Sequence, residues 1–141
     1  MIRTPRALLL LAAAVAMLAG CSDQGDDPAD EGGPLDPPVA VSYADDIQPI
    51  FDANCIGCHA AGSAAVGLEL SAGGSYDQLV GVQAVESDLD RVEPGQPEQS
   101  WLYLKITGAH DVGDVMPPSG LLPSTSRDLV RDWIADGAPD N

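Results

Sequence analysis

Cys55-Ile56-Gly57-Cys58-His59 carries more reactive groups than any other stretch of this chain. Two thiols separated by two residues, with an imidazole directly after, make a C-x-x-C-H run, the pattern of c-type haem attachment. The thiols add to the two vinyl groups of one porphyrin and leave thioether bonds. The histidine offers its imidazole to the iron as the proximal ligand. If the run is helical, Cys55 and Cys58 stand at i and i+3, on one face and one turn apart. Two other chemistries use the same residue types. Zinc takes four ligands, and Cys55, Cys58, His59 and His110 would supply them, but His59 beside Cys58 is poor geometry for a tetrahedron. Thioredoxin-like dithiol chemistry expects a βαβ context, and no alternating strand pattern is present.

An iron held on both faces needs a second axial ligand, and the chain offers few. Met116 lies 57 residues after His59, in a loop where Pro117 and Pro118 follow it. Those prolines restrict the backbone that carries the thioether. His/Met ligation raises the potential of a haem, which suits an electron carrier. The competing role for Met116 is gap-filling. His110 is the other histidine; as a ligand it would make a bis-histidine haem, and beside Asp111 and Asp114 it reads as an exposed loop residue. Trp101 and Trp133 read as core or haem-edge packing. Tyr76, Tyr103, Arg91 and Lys105 are the candidates for holding haem propionates.

The elements that must position these residues come after an N-terminal segment of another kind. Arg3 and Arg6 precede an apolar run from Ala7 to Leu18, which is short for a bilayer span. Leu18-Ala19-Gly20-Cys21 closes it. This is the form of a secretory signal, and its ending resembles the lipobox of bacterial lipoproteins. That resemblance implies lipidation of Cys21, removal of residues 1–20, and, with Ser22 rather than Asp next, sorting to the outer membrane. Processing and haem then account for all 3 cysteines. From Cys21 onward four bases face 22 acids, formally −18. Such a polyanion does not bind nucleic acid and is drawn to basic protein surfaces. Residues 21–41 combine six acids, four prolines and almost no large apolar side chain, so they are expected to form a disordered tether.

Residues 42–141 read as one small all-α domain of three to five short helices with long loops. Asp46 is the expected N-cap of a first helix, with Pro49 inside its first turn. Ile47, Ile50, Phe51 and Cys55 share one face of it, and Asp52 and Asn54 point outward. Leu68 to Leu70 reads as a short extended piece. Ser75 to Gln78 matches a capping box. Residues 81–95 read as loop. Pro97 is placed to open a third helix that Gly108 ends. The last helix starts near Ser124 or Thr125, with Thr125 and Asp128 as a cap-like pair, and Gly137 and Pro139 stop it. About a hundred residues with a single Phe make a thin core, so a buried haem is expected to supply missing apolar mass and the haem-free domain to fold poorly.

The motifs taken together resemble a known family. They are Ile47-Gln48-Pro49-Ile50-Phe51, Asn54-Cys55, Cys58-His59, Pro94-Gly95-Gln96-Pro97, Ser100-Trp101-Leu102, Met116-Pro117-Pro118 and Trp133-Ile134-Ala135-Asp136-Gly137-Ala138. In this order they are similar to the planctomycete-type cytochrome c domain, a class I-like monohaem cytochrome c. The resemblance spans roughly Ser42 to Pro139. It implies a small helical fold whose first and last helices cross beside one covalent haem c, attached by Cys55 and Cys58 and ligated by His59 and Met116. The function it implies is electron transfer between redox partner proteins; with the N-terminal signal added, the expectation is an exported, lipid-anchored carrier facing the periplasm. The alternative is a haem-based sensor or peroxidase-like subunit with a displaceable Met116.

Overall fold

The computed structural model describes residues 40–62 and 65–141. The expectations for residues 1–39 (signal, Cys21 lipidation and most of the tether) lie outside the described residues. The fold expectation holds: the domain is all-α, with helices α1 (Gln48–Asn54), α2 (Ser75–Leu79), α3 (Trp101–Thr107) and α4 (Ser124–Ala135). Short 3-10 turns cover Ala65–Gly67 and Pro97–Gln99. Among the described residues no strand forms; the 81–95 stretch is held by isolated bridges, Val80 with Val92 and Gln83 with Asp90.

The first helix begins earlier than its sequence signals suggest. A π-helical turn, Tyr43–Ile47, leads directly into α1, and Ser42 rather than Asp46 caps it. The Ser42 hydroxyl accepts from the Asp45 N–H at 3.2 Å, and the Ser42 N–H donates to the Asp46 carboxylate at 2.9 Å. This reciprocal pair satisfies two free amides at the start of the turn, and Asp46 serves it from inside the helix. Pro49 lies in the first turn of α1, as expected. Ile47, Ile50 and Phe51 are buried, while Asp52 and Asn54 are exposed.

Two further caps differ from expectation, one because the core takes the side chain and one because a surface arginine does. Gly74, not Ser75, precedes α2. The Ser75 hydroxyl is buried, accepts from Tyr43 Oη at 2.7 Å and donates to Gln48 Oε1 at 2.5 Å. Gln48 Nε2 donates onward to the Leu70 carbonyl at 2.9 Å. A buried hydroxyl must find partners, and here they are in the first helical stretch rather than in its own helix. At α4, Asp128 pairs with Arg131 at 2.9 Å, and Pro123 holds the cap position without a side-chain bond.

Pro97 opens only a 3-10 turn, and α3 starts after an extended Ser100. The buried Ser100 hydroxyl donates to the Gln96 carbonyl at 2.9 Å and accepts from the Glu93 N–H at 2.9 Å. The first amides of α3 are satisfied from outside it: Trp101 N–H by the Asp90 carbonyl and Leu102 N–H by the Arg91 carbonyl, both at 2.9 Å. Helix starts leave such donors open, so the 90–91 loop and α3 are locked in register. Gly108 ends α3 in the left-handed region at φ 75°.

The core is aromatic and lies where α4 packs on the leading turn. Tyr43 sits 5.2 Å from both Tyr76 and Trp133, and 6.3 Å from Phe51, in edge-on and tilted pairs. Trp133 is fully buried and donates its indole N–H to the Pro139 carbonyl at 2.9 Å. The chain after α4 turns through Gly137, with the Ala138 N–H on the Trp133 carbonyl and the Gly137 N–H on the Ile134 carbonyl. That is a Schellman ending. It returns Asn141 to the leading turn, where its main-chain and side-chain oxygens accept from Ala44 and Tyr43 N–H.

Candidate haem site

Cys55 closes α1, and its N–H still donates to the Phe51 carbonyl at 2.8 Å. The next residues form a turn rather than continued α-helix. Cys58 and His59 N–H both donate to the Cys55 carbonyl, at 3.1 and 2.9 Å. The spacing expected of a helical turn is therefore preserved by a single closed loop. Both cysteines are free thiols, Cys55 half-buried and Cys58 exposed. Burial pushes the Cys55 thiol up to about 11, so it stays protonated at neutral pH.

The small residues after the turn let the backbone fold back on it. Ala65 N–H donates to the Cys58 carbonyl at 3.0 Å, and Leu70 N–H to the His59 carbonyl at 2.7 Å. This return places the Leu68 carbonyl 3.2 Å from His59 Nδ1. A carbonyl only accepts, so the bond requires the proton on Nδ1. The ring is then oriented, and Nε2 is left with its lone pair for a metal.

Met116 reaches the same place from the other end of the domain. Its N–H donates to the Lys105 carbonyl at 2.9 Å, which ties the loop to α3. The Met116–Pro117 peptide bond is cis. Cys55, Cys58, His59 and Met116 all line one cavity of about 310 Å³, within the range of roughly 300–1,000 Å³ usual for cofactor sites. Leu68, Leu70, Leu79, Ala84, Leu102 and Ile106 give it an apolar wall, and Trp101, Pro117 and Pro118 also face it. The residues fit a c-type haem: two unpaired thiols one turn apart, an imidazole with its tautomer set, a thioether, and an apolar slot between them.

The other candidates are sorted by the same cavity. His110 does not line it. Nor is His110 an exposed loop residue: both ring nitrogens are buried without a hydrogen-bond partner, and the ring lies 5.5 Å from Trp101. The zinc set is therefore not assembled, and among the described residues no group of three or more potential ligands is placed to hold a metal ion. Trp133 belongs to the aromatic core and Trp101 to the cavity wall. Tyr76 donates to the Ala138 carbonyl at 2.8 Å and, like Tyr103, is not part of the lining.

Arg91 and Lys105 do line the cavity, both buried. Arg91 Nη1 donates to the Gln78 carbonyl at 2.8 Å, and desolvation lowers its pKa. Lys105 Nζ contacts the Glu86 carboxylate at 3.1 Å and the Val112 and Asp114 carbonyls at 3.0 and 3.2 Å. The role of Glu86 was not apparent from the sequence. A lone lysine inside Trp101-Leu102-Tyr103-Leu104-Lys105-Ile106 was the available signal that a buried cation needed a partner.

The model of the planctomycete cytochrome c family matches residues 55–120, from the first thiol to just past the methionine loop. Over that stretch the chain is similar to planctomycete cytochrome c. No curated protein matches the chain. Among solved structures, hydrazine synthase of Kuenenia stuttgartiensis aligns at 22% identity with a TM-score of 0.47. The alignment covers 70% of this chain and only 16% of that one. A cytochrome c domain implies covalently bound haem c, and Cys55 and Cys58 are the thiols present to attach it.

Proposed function

We propose that this cytochrome c is a one-electron carrier with His59/Met116 axial ligation, exported and tethered to the cell envelope by lipid on Cys21. The observation that carries the reading is the convergence of Cys55, Cys58, His59 and Met116 on one apolar cavity although Met116 is 57 residues from His59. A haem bound there supplies one-electron exchange at its iron.

The protein's own residues do the rest. Cys55 and Cys58 hold the group covalently. His59, oriented by the Leu68 carbonyl, presents Nε2. Met116 is delivered by a loop stiffened on its C-terminal side by Pro117 and Pro118. The apolar wall excludes water, which limits reorganisation when the charge changes. Arg91 is the candidate to hold a propionate: Nε and the second terminal nitrogen have no protein partner among the described residues, whereas all three ammonium protons of Lys105 have one. The acidic surface favours partners with a basic docking face, and Ser22 after Cys21 favours the outer membrane.

An absorption spectrum of protein made with haem-maturation machinery tests the reading. Sharp reduced bands and a weak red sulfur-to-iron band in the oxidised form are expected. A high-spin oxidised spectrum would overturn the His/Met assignment. For the tether, Cys21→Ser is expected to release the protein from the membrane fraction; unchanged fractionation would overturn it.

A further inference from the structure

We propose that Lys105 is the positioning residue for Met116, acting from both of its polar ends. The inference rests on the axial role of Met116 proposed above. The Lys105 carbonyl takes the Met116 N–H at 2.9 Å. The Lys105 ammonium reaches the same loop a few residues earlier, at the Val112 carbonyl (3.0 Å) and the Asp114 carbonyl (3.2 Å). Glu86, which also lines the cavity, takes the third position at 3.1 Å. The Trp101 ring lies 5.1 Å from the charge.

An ammonium has three N–H donors, and all three are used. Lys105 is only 6% exposed. A buried cation that loses its partners is costly, so the 112–114 segment cannot lift away without stranding it. The loop is built to approach that closely. A Cβ on Gly113 would stand 2.7 Å from Lys105 Nζ, and Gly113 has φ +69°. Lys105 thus fixes both Met116 and the segment that enters it, while Pro117 and Pro118 stiffen the chain on the far side. The thioether reaches the iron site from a loop that has no helix or strand of its own.

The test uses the ferric holo-protein and four variants, with two main readouts. One is the dissociation constant for imidazole as a competing iron ligand. The other is amide hydrogen exchange over residues 109–118. In Lys105→Met both the imidazole affinity and the exchange of this segment should rise about tenfold or more, as expected for losing bonds to a charged group, and the sulfur-to-iron band should weaken. Gly113→Ala keeps the lysine but crowds it; the same changes are expected, and this variant carries the test if Lys105→Met retains no haem. Val130→Ala, a core truncation on α4, should lower the melting temperature and leave imidazole affinity unchanged. Unchanged affinity and exchange in the Lys105 and Gly113 variants would overturn the proposal. So would an equal rise in affinity in Val130→Ala, since the effect would then be general destabilisation. If Met116→Ala itself leaves the band and affinity unaltered, the axial reading fails, and the exchange data still report whether the clasp exists.

Discussion

The two ends of α1 face different problems. At its N-terminal end the leading turn and α4 bury Tyr43, Phe51, Trp133 and Ile134 against one another. The polar atoms there, from Tyr43 Oη through Ser75 to Gln48, are paired within the protein. At its C-terminal end Cys55 opens onto a cavity with apolar walls. One end is closed by its own side chains, and the other is shaped around something the chain does not encode. A small domain can therefore place its stability and its chemistry at opposite ends of one helix. The helix transmits position between them.

This division of labour predicts a graded set of mutational effects. The largest is expected from His59→Ala, which should abolish stable holo-protein, read as haem absorbance per purified chain. Trp133→Ala should cost about 3–5 kcal/mol, measured by denaturant unfolding of the holo-protein; a much smaller loss would mean the aromatic end is not the stable one. Chain produced without haem should show the split by hydrogen exchange. Amides in 43–51 and 130–134 should remain the more protected, and those in 55–59 and 109–118 should lose more protection relative to the holo-protein. Uniform exchange would erase the distinction. Met116→Ala should remove the sulfur-to-iron band and lower the potential while leaving protection at 130–134 unchanged. The smallest effect belongs to Tyr43→Phe, about 1 kcal/mol for the bond to Ser75.

The same tyrosine makes a pH prediction. Burial, opposed by the Ser75 hydrogen bond and reinforced by Asp140, pushes Tyr43 up to about 12. The folded state keeps the phenol protonated where the unfolded chain would release it. Its contribution is complete below about pH 10, the ordinary tyrosine value, and is lost as pH rises toward 12. Alkaline unfolding of wild type against Tyr43→Phe checks this; the variant should lose less stability over that window.

Some of this was legible in the residues. Cys55, Cys58 and His59 are a local pattern, and local patterns do not depend on packing. The ends of α3 and α4 were legible because Gly108 and Gly137 solve a backbone problem that few other residues can. Caps were misread wherever another partner competed for the side chain. Ser75 matches a capping box, but its hydroxyl is used by Tyr43 and Gln48. Asp46 could cap a helix, but Ser42 does. His110 beside two aspartates suggested exposure, and its ring nitrogens are buried.

Residue types and their order were enough to point to a cytochrome c domain, to the one-turn spacing of Cys55 and Cys58 and to the all-α character, because these depend on short-range geometry. Tertiary structure alone decided that Met116 shares a cavity with His59, that Arg91 rather than Tyr76 or Tyr103 faces it beside Lys105, and that the Leu68 carbonyl sets the tautomer of His59. Each is a meeting of residues that no single helix or turn brings together. Such a meeting depends on how loops close over the aromatic core, which no local pattern records.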